Sequence, residues 1–147
     1  MENFKLFFEK TEEEKNVQQL IKKLPAAHRK LLNGYKFKYQ GGNTLKGDDG
    51  HIGVIFKDKI TVAAPWNYGR EWVTLHEIAH LVWENFCDKK WQQEWKKTVK
   101  KHTKRQKQNN EELWCMAYAC HFANHKIETH SHPAWDAYMS KFCKATG

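Results

Sequence analysis

The chain has 147 residues, 40% of them apolar and 14% aromatic, with seven tryptophans, which excludes a disordered tail and fits one domain around a single core. No window approaches the ~20 consecutive apolar residues of a membrane span, and Met1 to Phe8, with Glu2 and Lys5, lacks the apolar run of a secretory leader, so a cytoplasmic location is expected, with export of a processed form as the alternative. The formal charge of +8 sits wholly in Lys89–Lys107, where eight lysines and Arg105 meet Glu94 alone, so that the other residues balance to zero.

Thr11-Glu12-Glu13-Glu14 has the form of a capping box, in which a hydroxyl satisfies an orphan backbone N–H and Glu14 reaches back. Val17, Leu20, Ile21 and Leu24 follow at helical spacing, Pro25 ends that helix, and a short second helix from about Ala26 to Asn33 stops at Gly34. Residues 1–34 are therefore read as N-terminal helices. Tyr35 to Tyr39 alternates with period two, as a half-buried strand should. Gly41-Gly42-Asn43 and Gly47-Asp48-Asp49-Gly50 are turn chemistry. His51–Phe56 and Ile60–Ala64 are β-rich runs around Lys57-Asp58-Lys59, which predicts a hairpin in a small, antiparallel-containing sheet over residues 35–65. Pro65 to Gly69 reads as a loop.

From Arg70 the period returns to 3.6. Trp72, Leu75, Ala79, Val82 and Phe86 form one apolar stripe, predicting a helix over residues 70–87. Trp91, Trp95 and Val99 mark a basic amphipathic helix within 89–107. Two C-terminal helices are expected within 110–143, one from near Asn110 to about Lys126 and one from Pro133 to about Cys143. The order of elements is that of a single α+β domain. Cys87, Cys115, Cys120 and Cys143 show no C-x-x-C pairing and read as free, partly buried thiols, two disulfides being the alternative in an exported protein.

Chemistry concentrates in His76-Glu77-Ile78-Ala79-His80. Residues four apart share one face of a helix, so His76 and His80 can present both imidazoles to one ion. Zinc accepts two neutral imidazole nitrogens and a carboxylate and keeps a fourth position for water. Glu77 can reach that water without ligating the metal and act as general base. The surrounding Val73, Thr74, Leu75, Ile78, Ala79, Leu81 and Val82 are uncharged, and burying two histidines and a glutamate among them is costly without a partner such as a metal. A third histidine six residues after His80 is absent, since Phe86 stands there; a carboxylate from a later helix remains. Close approach of two helices favours small residues three and seven positions after the ligand. From Glu112 these are Cys115 and Ala119; from Glu111 they are Trp114 and Tyr118. Glu112 is the first choice and Glu111 the second. His121 and His125, again four apart, form an alternative pair.

Val73 to Val82 resembles the extended zincin metalloprotease pattern, and a downstream glutamate as third ligand is its gluzincin variant. Glu112-Leu113-Trp114-Cys115-Met116-Ala117-Tyr118, followed by Pro133-Ala134-Trp135-Asp136-Ala137-Tyr138, is similar to the carboxyl half of the anthrax lethal-factor-like and Pro-Pro endopeptidase group. The ImmA/IrrE-type metallopeptidases are the second resemblance. The likeness implies a zincin-like fold, a zinc cofactor and a peptide or protein substrate. It also implies a strand on the rim of the cleft to whose edge an extended peptide adds, here His51–Phe56 or the run Ile60, Thr61, Val62, Ala63 and Ala64. The chain departs from that group at Met116, where a second glutamate is frequent. It departs again where the group's catalytic tyrosine lies, since His102, Thr103 and Arg105 stand there. Tyr118, Tyr138, His102 and Arg105 are the candidates for stabilising an oxyanion.

The expected function is therefore a monomeric zinc endopeptidase. The alternative is a catalytically weak or inactive zincin-fold binding or regulatory protein, whose basic segment Lys89–Lys107 holds nucleic acid or an acidic partner; Trp91 and Trp95 could stack on bases there, but their spacing is that of a helix packing on a core.

Overall fold

A computed structural model describes residues 18–40, 53–56, 59–63, 69–100, 110–123 and 132–147. Helix α1 covers residues 18–22 and buries Leu20 and Ile21, with Leu24 buried just beyond it. The backbone of Pro25 is extended and starts α2 (Ala26–Lys30); Gly34, at φ 86°, supplies the left-handed residue that lets the chain leave this helical region. Three strands follow, β1 (Lys36–Gln40), β2 (Gly53–Phe56) and β3 (Lys59–Ala63), and then four helices: α3 (Gly69–Phe86), α4 (Lys89–Lys100), α5 (Asn110–Phe122) and α6 (Pro133–Thr146). Helix predominates among the described residues. The Thr11 capping box, the turns at 41–50, residues 65–68 of the expected loop and the segments 101–109 and 124–131 lie outside them; Gly69, expected in that loop, opens α3 instead.

The sheet is mixed, in the order β1-β3-β2. β3 runs parallel to β1, with Phe37 opposite Ile60, and antiparallel to β2, with Ile55 opposite Ile60. This corrects the expectation that Ile60, Thr61, Val62 and Ala63 form a substrate-binding edge. The backbone of Ile60, Thr61 and Val62 is paired on both sides and that of Ala63 with Gln40, so β3 is an inner strand and offers a peptide no open row of N–H and C=O groups along 60–62. β2 is an edge strand of this sheet; Ala64 lies outside the described residues.

α3 is the centre of the molecule. Its stripe Trp72, Leu75, Ala79 and Val82 is buried, but so are Val73, Ile78 and Leu81 and the polar Thr74, His76 and Glu77, so the helix is buried almost all round from Trp72 to Ala79. A helix of that pattern has to be covered on several sides. The sheet packs against it through β2 and β3, and α5 lies along it.

α4 begins after Cys87-Asp88, where the Asp88 carboxylate accepts from Trp91 N at 3.2 Å as an N-cap. Its apolar face points inward: Trp95 stacks edge-on to Trp135 at 5.6 Å and Trp91 meets Phe142 at 5.3 Å, both on α6. This corrects the base-stacking role considered for Trp91 and Trp95, whose rings are committed to the core. Lys89, Lys90, Lys96 and Lys97 are exposed on the opposite face. α6 starts at His132, whose Nδ1 accepts from Ala134 N at 3.1 Å, with Pro133 in the first turn, where its missing N–H is harmless. It runs three residues beyond the expected Cys143. All four cysteines are free, and burial pushes the Cys87 and Cys143 thiols up to about 12.

His28 ties α2 to α5 and α6. The Thr146 hydroxyl donates to Phe142 O, so its oxygen accepts from His28 Nε2 at 2.9 Å; His28 Nδ1 is then the acceptor for Tyr118 O–H at 3.0 Å. This ring is fully buried and neutral, and burial lowers its pKa to about 4. A histidine that resists protonation in the folded state destabilises the fold as pH falls through the unfolded value of 6.5. Stability should be intact above pH 6.5 and decline toward pH 4, by on the order of 3 kcal/mol from this group. Denaturant melts between pH 4 and 7 test this; a His28→Gln chain should show a flatter dependence over that window, and an equal slope refutes the assignment.

Candidate metal centre

The pairing of α3 with α5 builds the site. Ala79, Cys115 and Ala119 are fully buried, so the two helices approach closely where side chains are small. Trp72 Nε1 donates to Cys120 Sγ at 3.2 Å, which fixes the register of one helix against the other. The first turn of α5 then places Glu111 and Glu112 against the middle of α3.

His76 and His80 stand one helical turn apart, with ring centroids 5.1 Å apart at 82°. His76 donates from Nε2 to Glu112 Oε2 at 3.0 Å, and His80 donates from Nε2 to Glu112 Oε1 at 2.9 Å. On its other edge His80 donates from Nδ1 to Glu111 Oε2 at 2.6 Å. His76 is held differently: Trp72 stacks on it at 5.3 Å and 20°, while its Nδ1 is buried with no hydrogen-bond partner. Glu77 is 8% exposed, nearly as buried as the apolar residues around it.

The charges answer one another. Burial alone would lower the His80 pKa; hydrogen bonds to Glu112 and Glu111, with the charges of Glu112 and Glu77, outweigh it and push the group up to about 9. Hydrogen bonds from His76 and His80 hold the Glu112 carboxyl well below the usual range despite its burial. Without metal, His80 therefore carries a proton between two carboxylates at neutral pH. His80 contributes stability that is complete below pH 6.5 and is lost as pH rises toward 9.

One ligand atom from each of His76, His80 and Glu112 lies within 4.8 Å of the others. Ligands bound to tetrahedral zinc at ~2.0–2.1 Å sit about 3.4 Å apart. The separations of 2.9 and 3.0 Å between Glu112 and the two Nε2 atoms match hydrogen bonds that open slightly around an ion. Two imidazoles and one carboxylate are a donor set that zinc accepts, with a position to spare. The residues present fit a metal.

Other candidates are placed elsewhere. Glu111 meets the Nδ1 edge of His80 rather than joining the three-residue cluster. His121 Nδ1 faces Asp136 Oδ1 at 3.3 Å, and His125 lies outside the described residues. As oxyanion stabilisers, Tyr118 and Tyr138 are corrected. Tyr118 is buried with its hydroxyl given to His28. Tyr138 O–H donates to Trp91 O at 2.9 Å while its oxygen accepts from Trp114 Nε1 at 3.1 Å. A hydroxyl so engaged in the core cannot turn toward a substrate. His102 and Arg105 lie outside the described residues. Sequence reasoning passed over Trp72 as a support for His76, although four-residue spacing on a helix was the available signal.

No known protein family, curated protein or solved structure matches the chain.

Proposed function

We propose that this chain is a zinc-dependent endopeptidase of the gluzincin type, with a zincin-like arrangement of α3, α5 and the small sheet. The observation that carries it is the meeting of His76 Nε2, His80 Nε2 and the Glu112 carboxylate across two helices, with the acidic Glu77 buried on the ligand helix beside them. Zinc held there supplies a Lewis acid that polarises a carbonyl oxygen and acidifies water.

The chain's own residues divide the remaining work. His76 and His80 bind as neutral imidazoles, and Glu112 bridges them and offsets the charge of the ion. Glu77 follows His76 directly and is close enough to bias the charge of His80. It takes the proton of the attacking water and passes it to the leaving amine. No helix among the described residues is long and apolar enough to cross a membrane. Of the two edge strands, β1 and β2, it is β2 that packs on the ligand helix α3, and an extended peptide can add there. A non-catalytic, polyanion-binding role gains less support, since the α4 tryptophans are internal and, among the described residues of the basic segment, it is the solvated lysine face that is open to a partner.

A first test is metal itself. Dialysed protein should take up about one zinc per chain with release of protons, because His80 must give up the Nε2 proton it holds at neutral pH. Zinc affinity should rise with pH, roughly tenfold per unit for one displaced proton, while pH stays below about 9. Chelator competition at pH 6, 7 and 8 measures it; a flat affinity excludes His80 as a ligand.

A further inference from the structure

The cluster leaves one short contact unexplained by metal binding alone, the 2.6 Å hydrogen bond between His80 Nδ1 and Glu111 Oε2. A neutral imidazole carries a single N–H, and which nitrogen carries it decides which one offers a lone pair. An ionised carboxylate only accepts. With Glu111 on the Nδ1 edge, the proton is called to Nδ1 and the lone pair is left on Nε2, the nitrogen that faces Glu112 at 2.9 Å. Two adjacent glutamates on the first turn of α5 thus grip opposite edges of one ring. His76 has no such support, since its Nδ1 meets no partner and its orientation comes from the Trp72 ring.

We infer that Glu111 is a positioning residue for the metal centre, fixing the tautomer and ring orientation of His80 while Glu112 alone of the pair ligates. This rests on the zinc site proposed above. Carboxylates placed behind a ligating histidine typically strengthen metal binding about 10–100-fold. A glutamate that merely favours the N-terminus of a helix acts on the stability of α5 and leaves both metal affinity and the His80 tautomer unchanged.

The experiment compares zinc affinity, by chelator competition, in wild-type chain and in Glu111→Ala, Glu111→Gln and Glu112→Ala variants. Long-range ¹⁵N–¹H spectra of the zinc-loaded histidines accompany it. Glu111→Ala should bind about 10–100-fold more weakly than wild type, with the His80 Nδ1–H signal shifted or exchanging faster. Glu111→Gln keeps an acceptor without the charge and should fall between the two. Affinity and tautomer both unchanged in Glu111→Ala overturn the positioning role and leave the zinc site standing. A Glu111→Ala chain as empty of zinc as Glu112→Ala makes Glu111 a ligand and overturns it too. If the alanine variant does not fold, Glu111→Gln decides: weaker binding with an altered Nδ1–H signal supports the role, and wild-type values on both overturn it. Wild-type chain that takes up no zinc overturns the site and the inference together.

Discussion

A Glu77→Gln chain will bind zinc as wild type does and lose peptide hydrolysis by roughly 10²–10⁴-fold, the contribution of a positioned general base. The substitution keeps the shape of a side chain that is 8% exposed and removes its ability to take a proton. Packing on α3 should therefore survive while the proton has nowhere to go. Equal zinc content and an equal unfolding midpoint establish that the site is intact. Turnover is then read on a broad peptide library or unfolded casein. If the variant cleaves as fast as wild type, Glu77 is not the base and the mechanism built on it fails. If wild type itself cleaves nothing while binding zinc, the chain is a metal-binding protein and not a peptidase. His80 supplies an internal check, because the charge of Glu77 raises its pKa. Neutralising Glu77 should lower it, a shift that an NMR titration of His80 in the metal-free variant reads directly.

How much of this was legible in the sequence depended on the range of the interaction concerned. His76 and His80 are brought together by helical periodicity, which a single segment displays. Preference for Glu112 over Glu111 followed from Cys115 and Ala119, small residues that are fully buried where α5 meets α3. The sheet order was not legible: the alternating runs announce strands, but the parallel pairing of β1 with β3 is a non-local choice that leaves no mark in either run. Tyr118 and Tyr138 misled for a related reason. A phenol pairs an apolar ring with a polar tip, and the same residue suits a cleft or a core whose acceptor is supplied from afar. His28 shows the extreme case, its partner Thr146 being 118 positions away, with nothing in the short α2 sequence to announce it. The basic helix was half legible, because apolar spacing at Trp91, Trp95 and Val99 gave the buried face correctly while exposure of the lysines says nothing of a partner.

Zinc should stabilise the wild-type fold by about 4 kcal/mol at a free concentration 1,000 times its dissociation constant, which for a chain of this size raises the unfolding midpoint by roughly 10–15 °C. The expectation follows from where the ligands come from. His76 and His80 belong to α3 and Glu112 to α5, 32 positions beyond His80, so the unfolded chain does not hold the three together and the ion binds almost only the folded state. The metal-free protein compensates in part, since the Glu112 carboxylate bridges both rings through hydrogen bonds of 3.0 and 2.9 Å. That bridge weakens as pH rises toward 9 and His80 loses its proton, so the gain from zinc should grow between pH 7 and 9. A Glu112→Ala chain loses both the bridge and the ligand. Its midpoint should be lower than that of metal-free wild type and should not respond to zinc. The comparison is made by thermal melts of both chains, with and without zinc, at pH 7 and 8.5. A zinc-dependent rise of equal size in wild type and Glu112→Ala would locate the bound ion elsewhere, among the remaining histidines or the free cysteines, and the two-helix metal centre would have to be abandoned.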